Sequence, residues 1–197
     1  MKRSKTLFLV EVALFSALAY VFDLLANMVS LRIWPQGGSI SIAMVPVFLI
    51  AFRWGIKGGM LSGLLLGGLQ VLTGQAYIVH PIQGLLDYFI AFIVIGLAGV
   101  FMKQIQHAIN EHSKSKVTAY VIAGTLLGSV LRYVAHVIGG IVFFGEYAPS
   151  GTPVALYSLL YNGTYMLPAF ILSAIFVSLL INTAPKYFDV TNAKFNY

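Results

Sequence analysis

Six apolar stretches follow one another along this chain of 197 residues, separated by short polar segments. A helix needs about 20 apolar residues to cross the hydrocarbon core of a bilayer, and inside lipid the backbone must satisfy its own hydrogen bonds. The predicted spans are residues 6–26, 39–52, 55–73, 81–102, 117–143 and 155–183. They predict an all-α integral membrane protein with six transmembrane helices, in which residues 1–197 form a single membrane domain.

The composition supports a membrane environment. Hydrophobic residues make up 59% of the chain and charged residues 9%, which leaves more apolar surface than a soluble domain of this size can bury. The net charge of +6 lies in short loops beside apolar spans, so it favours contacts with lipid headgroups over binding of nucleic acid. The chain has no cysteine, which excludes disulfides and thiol chemistry.

The positive charges orient the predicted bundle. Ten of the twelve Lys and Arg residues fall at one end of the span pattern: Lys2, Arg3, Lys5, Arg53, Lys57, Lys103, Lys114, Lys116, Lys186 and Lys194. Cytoplasmic loops retain positive charge, so we expect both termini in the cytoplasm. Residues 7–26 also fit a signal peptide, but Glu11 and the lack of a small-residue cleavage site favour a retained first helix.

Small residues within two spans indicate close helix packing. Gly59, Gly63 and Gly67 share one face of the third span, where a neighbouring helix can approach closely. Ala13 and Ala17 form a similar seam on the first span, against which another helix can pack.

The second span is unusually short. Its 14 residues reach only about 21 Å as a helix. It also contains Pro46, so we expect either a kink or a partial, tilted crossing of the membrane.

Sequence motifs for energy conversion and catalysis are missing from the chain. It contains no phosphate-binding G-x-x-x-x-G-K-[ST] loop, no H-E-x-x-H or paired-histidine metal spacing, and no G-x-S-x-G nucleophile motif. We therefore expect a binding protein or a conduit that is not an enzyme and has no cofactor or metal. Energy for any transport would come from a partner or an ion gradient.

A carboxylate lies within the fourth span. Asp87 follows Gln83 by one helical turn, and an ionisable group at this depth is a functional candidate because burying its charge in lipid is costly. The sequence leaves two interpretations open: Asp87 binds a ligand, or it forms a structural ion pair with Arg132.

Polar residues also follow one face of the fifth span, at Ser129, Arg132, His136 and Gly140. His136 lies at a depth similar to that of Asp87, and it either contacts a ligand or only bonds to a neighbour. Gly140, one turn above, would leave room for a flat ring beside the imidazole. For Arg132 we expect a structural role.

Aromatic and polar residues concentrate in the outer third of the predicted bundle. The candidates are Trp34, Tyr77, Asp87, Tyr88, His136, Phe144, Tyr157 and Asn162. Taken singly, the tyrosines and the tryptophan are also typical of a membrane interface. Taken together, aromatic faces and one carboxylate suit a small, flat, cationic molecule.

The chain resembles a known family in four segments: Trp34-Pro-Gln-Gly-Gly-Ser39, Leu85-Leu-Asp87-Tyr88, Arg132-Tyr-Val-Ala-His136, and Tyr157 to Asn162. With the six spans and the alanine seam, these resemble the thiamine-specific S components of energy-coupling factor (ECF) vitamin transporters. Such S components are the substrate-binding subunits in bacterial plasma membranes. The resemblance covers essentially the whole chain.

The resemblance implies a thiamine site near the outer face. It implies that Asp87 binds the aminopyrimidine ring and that Phe144 stacks on the ligand. It implies further contacts from Trp34, Tyr77, Tyr88, His136, Tyr157 and Asn162, with residues 27–38 as a lid. It also implies docking through Ala13 and Ala17 onto a transmembrane coupling subunit that two ATPase subunits drive.

Two other functions stay open at the level of sequence. One is an S component for another vitamin, such as riboflavin, or for a thiamine precursor. The other is a non-transport membrane protein, such as an assembly factor or sensor subunit, in which the polar groups are only structural.

Overall fold

Six helices make up the fold in the computed structural model, which describes residues 5–28 and 38–188. They are α1 (Lys5–Met28), α2 (Met44–Trp54), α3 (Ile56–Leu72), α4 (Pro81–Asn110), α5 (Lys114–Phe143) and α6 (Val154–Thr183). Short 3₁₀ turns at Gly145–Tyr147 and Pro185–Tyr187 lie before and after α6. The predicted all-α, six-helix membrane architecture is confirmed.

The helices differ in length. The helices α1, α4, α5 and α6 have 24 to 30 residues and are apolar and long enough to cross a membrane. The helix α2 has only 11 residues, which corresponds to about 16 Å and is shorter than the hydrocarbon core of a bilayer. Pro46 lies in the first turn of α2, where its missing N–H removes no hydrogen bond within the helix.

Two predicted boundaries differ from the structure by more than three residues. The helix α4 continues to Asn110, eight residues past the predicted end at 102, because Ile105, Ala108 and Ile109 are buried against the bundle. The helix α2 begins at Met44 instead of residue 39.

The glycine face of α3 packs directly on α4, as predicted. A Cβ atom on Gly63 would collide with the carbonyl oxygen of Phe92, and one on Gly67 would collide with that of Tyr88. A Cβ atom on Gly59 would likewise collide with the backbone of Gly96, at 2.6 Å from its Cα atom. Only glycine permits this contact between the two backbones.

Buried apolar side chains of α2 fill the centre of the bundle. Residues 44–52 of this helix are all buried, and Phe48 and Phe52 stack at 6.3 Å between ring centroids. A polar cluster lies at the C-terminal end of α2, where Glu11 of α1 accepts hydrogen bonds from Arg53 Nη2 and Trp54 Nε1, both at 2.6 Å.

The backbone of α4 departs from regular α-helix. Residues Leu85–Ile90 form a π-helical segment and Val94–Phe101 a 3₁₀ segment. Single π-helical turns inside α-helices often occur at functional sites. The π-helical segment of α4 carries Asp87.

Candidate functional site

A cavity of about 360 Å³ lies at the end of the bundle opposite the Glu11 cluster. It is within the size range of small-molecule binding sites, about 300–1,000 Å³. Side chains from all six helices line it, because α1, α3 and α5 end there while α2, α4 and α6 begin there. The lysine-rich ends of the helices lie at the other end of the bundle.

Asp87 is held in a fixed position in the cavity wall. Its side chain is buried, and Oδ2 accepts a hydrogen bond from Gln83 Nε2 at 2.8 Å. Gln83 in turn accepts from the Val79 backbone N–H at 3.1 Å and donates to the Tyr77 carbonyl at 3.2 Å. The carboxylate is therefore tied both to α4 and to the connection that precedes it.

His136 connects Asp87 to Arg132. Its Nδ1 lies 3.0 Å from Asp87 Oδ1, and its Nε2 accepts a hydrogen bond from Arg132 Nε at 3.2 Å. The guanidinium of Arg132 lies over the Phe92 ring at 4.9 Å from its centroid. Among the described residues, the side chain of Asp87 is hydrogen-bonded to His136 and Gln83 and not to Arg132, so the direct Asp87–Arg132 pair considered from the sequence is wrong.

Aromatic side chains cover the outer part of the cavity. Tyr77 and Phe144 stack with ring centroids 6.5 Å apart, and Tyr147 lies 6.2 Å from Phe144. The Tyr77 N–H donates to the Tyr88 hydroxyl at 2.7 Å, which holds this connection against α4. A hydrogen bond with the Tyr77 phenol raises the pKa of Tyr147 above its ordinary value.

Polar groups of α6 complete the wall. Asn162 is buried, donates to the Ser158 carbonyl at 2.9 Å and accepts from the Tyr165 hydroxyl at 2.5 Å. A Cβ atom on Gly140 would collide with Ser158 Oγ, because α6 packs into the space beside this glycine. The expected room for a ligand ring at Gly140 is therefore taken by a neighbouring side chain, although the glycine does line the cavity.

The structure brings most of the predicted substrate-site residues together. The cavity is lined by Tyr77, Asp87, Tyr88, His136, Gly140, Phe144, Tyr157 and Asn162. Trp34 lies outside the described residues. The predicted lid, residues 27–38, falls mostly outside them as well.

Sequence reasoning missed a second polar wall of the cavity, between α1 and α3. Asp23 Oδ2 accepts a hydrogen bond from Gln70 Nε2 at 2.6 Å, and both residues line the cavity. An aspartate inside an apolar span was a signal for this wall, because such a residue is a functional candidate by default.

The alanine pair of α1 faces away from the bundle. Ala13 and Ala17 are exposed, whereas Val12, Ser16 and Ala19 form the buried face of α1. Ser16 donates to Ser62 Oγ of α3 at 3.0 Å, which fixes the rotation of α1. The seam is therefore accessible to lipid or to another helix.

The described residues contain no cluster of three or more His, Asp, Glu or Cys side chains that could hold a metal ion. What they do form is a bundle that crosses the membrane and encloses a polar, aromatic-lined cavity at one end. This fold defines a class, the multi-pass membrane proteins, and the cavity has a size that suits a small molecule.

Comparison with known proteins identifies the family. Residues 9–189 match the family described as thiamine transporter protein, and the chain belongs to that family. It is 48% identical to the thiamine transporter ThiT of Bacillus subtilis over 94% of this chain and 96% of that relative. It is 34% identical to ThiT of Lacticaseibacillus paracasei over 79% of each chain.

A solved structure agrees with this assignment. ThiT from Listeria monocytogenes superimposes with a TM-score of 0.86 at 35% identity, covering 94% of this chain and 99% of that one. The resemblance to thiamine-specific S components and the multi-pass location in a bacterial membrane are thereby confirmed.

Proposed function

We propose that this protein binds thiamine in the cavity, at the extracellular end of the bundle, and delivers it across the plasma membrane when docked on an ATP-driven ECF module. The observation that carries the proposal is the buried carboxylate of Asp87, fixed by Gln83 and His136 inside an aromatic-lined cavity of about 360 Å³.

The chemistry of thiamine fits these groups. Its aminopyrimidine ring offers N–H donors, which a carboxylate such as that of Asp87 accepts. Its thiazolium ring carries a permanent positive charge, and cations are attracted to aromatic faces such as those of Tyr77, Phe144 and Tyr157. The names of both curated relatives, thiamine transporter, support the same ligand.

The direction of transport follows from the charge pattern. The lysine-rich helix ends lie opposite the cavity, and positive charge marks the cytoplasmic side. The cavity would then face outward with both termini inside, which suits capture of a vitamin from the medium.

In this proposal a partner, and not an ion gradient, supplies the energy, since the sequence has no phosphate-binding G-x-x-x-x-G-K-[ST] loop of its own. The exposed seam of Ala13 and Ala17 supports docking of α1 on a transmembrane coupling subunit, since small residues allow helices to approach closely. The two ATPase subunits would act through that coupling subunit.

Calorimetric titration of the purified protein in detergent with thiamine tests the proposal. We expect saturable binding with a Kd well below about 1 μM, equivalent to more than about 8 kcal/mol. Riboflavin and the isolated aminopyrimidine precursor, titrated under the same conditions, should bind far more weakly. Tight riboflavin binding would favour the other-vitamin alternative, and no binding of any of the three would favour a non-transport membrane protein.

Fluorescence adds information on the lid. Trp54 is bonded to Glu11 at the far end of the bundle, so quenching by thiamine would have to come from Trp34, the other tryptophan in the chain. Quenching that persists in Trp34→Phe would contradict a role for the first outer loop.

A further inference from the structure

The hydrogen bond between Arg132 and His136 determines where the imidazole carries its proton. Arg132 Nε can only donate, so His136 Nε2, at 3.2 Å, must be an unprotonated acceptor. In the neutral ring the proton then resides on Nδ1, which donates to Asp87 Oδ1 at 3.0 Å. In both hydrogen bonds, from Arg132 to His136 and from His136 to Asp87, the donor therefore lies on the side away from the carboxylate of Asp87.

The same bond opposes protonation of His136. An imidazolium carries N–H groups on both nitrogens and could not accept from Arg132. It would also place a second cation next to the guanidinium. Without that second cation, the negative charge of Asp87 is not cancelled by the histidine to which it is bonded.

We propose that Arg132 is a positioning residue for ligand binding: by fixing His136 as the neutral, Nδ1-protonated tautomer, it keeps the Asp87 carboxylate available to a cationic ligand. This inference rests on the proposed function. It extends the structural role expected for Arg132 to a specific effect on the ligand-binding carboxylate.

The groups around His136 are consistent with this role. From α4 the charged neighbour is Asp87, with Tyr88 further along the same wall. From α6, Tyr165 and Tyr161 line the cavity as neutral phenols, and Asn162 contacts the His136 carbonyl. Asp23 of α1 lies within electrostatic range of Arg132. Among the described residues that line the cavity, Arg132 alone carries a permanent positive charge.

Removing the guanidinium should make binding depend on pH. In Arg132→Met, Nε2 of His136 is open to a proton, and an imidazolium beside Asp87 would compete with the cationic ligand. We expect the thiamine Kd of the wild type to change by less than about threefold between about pH 8 and pH 6, across the ordinary histidine range. In Arg132→Met the Kd should rise by about tenfold or more over the same interval.

Two companion variants separate this effect from a loss of structure. Arg132→Lys retains both a donor and a positive charge but loses the planar group over Phe92, so its thiamine Kd should change less over this pH interval than that of Arg132→Met. The double variant Arg132→Met/His136→Gln has no titrating ring at this position and should lose the pH dependence of Arg132→Met. Equal weakening at every pH in Arg132→Met would indicate a purely structural arginine and overturn the inference.

A spectroscopic measurement tests the tautomer directly, even if a variant fails to fold. In the ligand-free wild type labelled with ¹⁵N-histidine, the signals of His136, one of four histidines, are assigned by their absence in His136→Gln. We expect a neutral ring protonated on Nδ1 at about pH 7, and a ring protonated on Nε2 or on both nitrogens would overturn the inference. A wild type that keeps this tautomer but binds no thiamine at any pH would instead overturn the proposed function.

Discussion

The carboxylate of Asp87 on α4 lies directly against the backbone of Gly139 on α5. A Cβ atom at this glycine would come within 2.8 Å of Asp87 Oδ1, closer than a non-bonded contact permits. The position of the carboxylate thus depends on the absence of a side chain on the neighbouring helix. The two hydrogen bonds from Gln83 and His136 require the same placement.

Gly139→Ala should weaken thiamine binding by about tenfold, because displacing the carboxylate disturbs hydrogen bonds to a charged group, each worth about 1.5–3 kcal/mol. Calorimetric titration measures the change. The matched control is Gly163→Ala on α6, whose Cβ would meet only the Tyr133 hydroxyl, at 3.9 Å. Equal affinities in the two variants would contradict the importance of this contact.

Asp87→Asn retains the shape of the side chain but removes its charge. We expect thiamine affinity to fall by about 100-fold or more, since charge-assisted hydrogen bonds are roughly twice as strong as neutral ones and the ligand is a cation. Asp87→Ala should abolish binding while the protein is still produced. Glu146→Gln removes an exposed carboxylate outside the cavity and should bind as the wild type does. Unchanged affinity in Asp87→Asn would count against the proposed site.

Two adjacent phenylalanines allow a test of aromatic stacking. Phe144 lines the cavity and stacks with Tyr77, whereas Phe143 stacks with His80 outside the cavity lining. Loss of one aromatic contact is worth about 0.5–1.5 kcal/mol, so Phe144→Ala should weaken binding by about 3- to 10-fold. Phe143→Ala should have a smaller effect in the same titration. A larger loss of thiamine affinity in Phe143→Ala than in Phe144→Ala would place the ligand elsewhere.

The alanine seam is tested by transport and not by binding. Ala13→Leu combined with Ala17→Leu should block thiamine uptake into cells, because bulky side chains prevent the close approach of a partner helix. Thiamine affinity of the purified variant should be unchanged. Val130→Leu with Val134→Leu enlarges another exposed face, on α5, with the same spacing and should leave uptake intact. Co-purification of the coupling subunit with the Ala13/Ala17 variant at wild-type yield would contradict docking through this seam.

The ion pair between Glu11 and Arg53 should contribute to stability. Glu11 and Arg53 have side chains that are both 17% exposed, and breaking such a mostly buried pair costs about 3 kcal/mol or more. Glu11→Gln should therefore lower the thermal unfolding midpoint. Its thiamine affinity should be retained, because the cavity lies at the other end. Glu111→Gln, which breaks an exposed pair with Lys116, should leave the midpoint unchanged. A similar unfolding midpoint in Glu11→Gln and Glu111→Gln would contradict a larger contribution from the Glu11–Arg53 pair.

Hydropathy predicted the fold because each span had to be apolar to cross the membrane, but it failed where a helix leaves the lipid. The last segment of α4, Met102–Asn110, alternates polar residues with buried Ile105 and Ala108. A hydropathy average places such a segment in a loop. The segment stays helical because it packs against the bundle, and a local hydropathy average carries no information about such contacts.

The cost of burying polar groups in lipid was enough to find one wall of the cavity. Asp87 and His136 stood out because ionisable groups within a span are expensive, and both line the cavity. The hydrogen bonds that join them to Gln83 and Arg132 could not be predicted in the same way, because they depend on how each helix is rotated in the bundle. The spacing in the sequence placed Gly140, and not Gly139, on the face of His136. The contact of Gly139 with Asp87 depends on how α5 packs against α4, which the sequence alone does not specify.

The short helix α2 has a consequence for the ligand-free protein. Met44, its first residue, lines the cavity, and the described residues immediately before it, 38–43, are not helical. The cavity therefore lies against the first turn of this short helix, and under the proposed function a bound thiamine would act as a replaceable part of the protein's own core. Saturation should then stabilise the whole bundle in proportion to the logarithm of ligand concentration, so that thermal stability itself becomes a measure of occupancy.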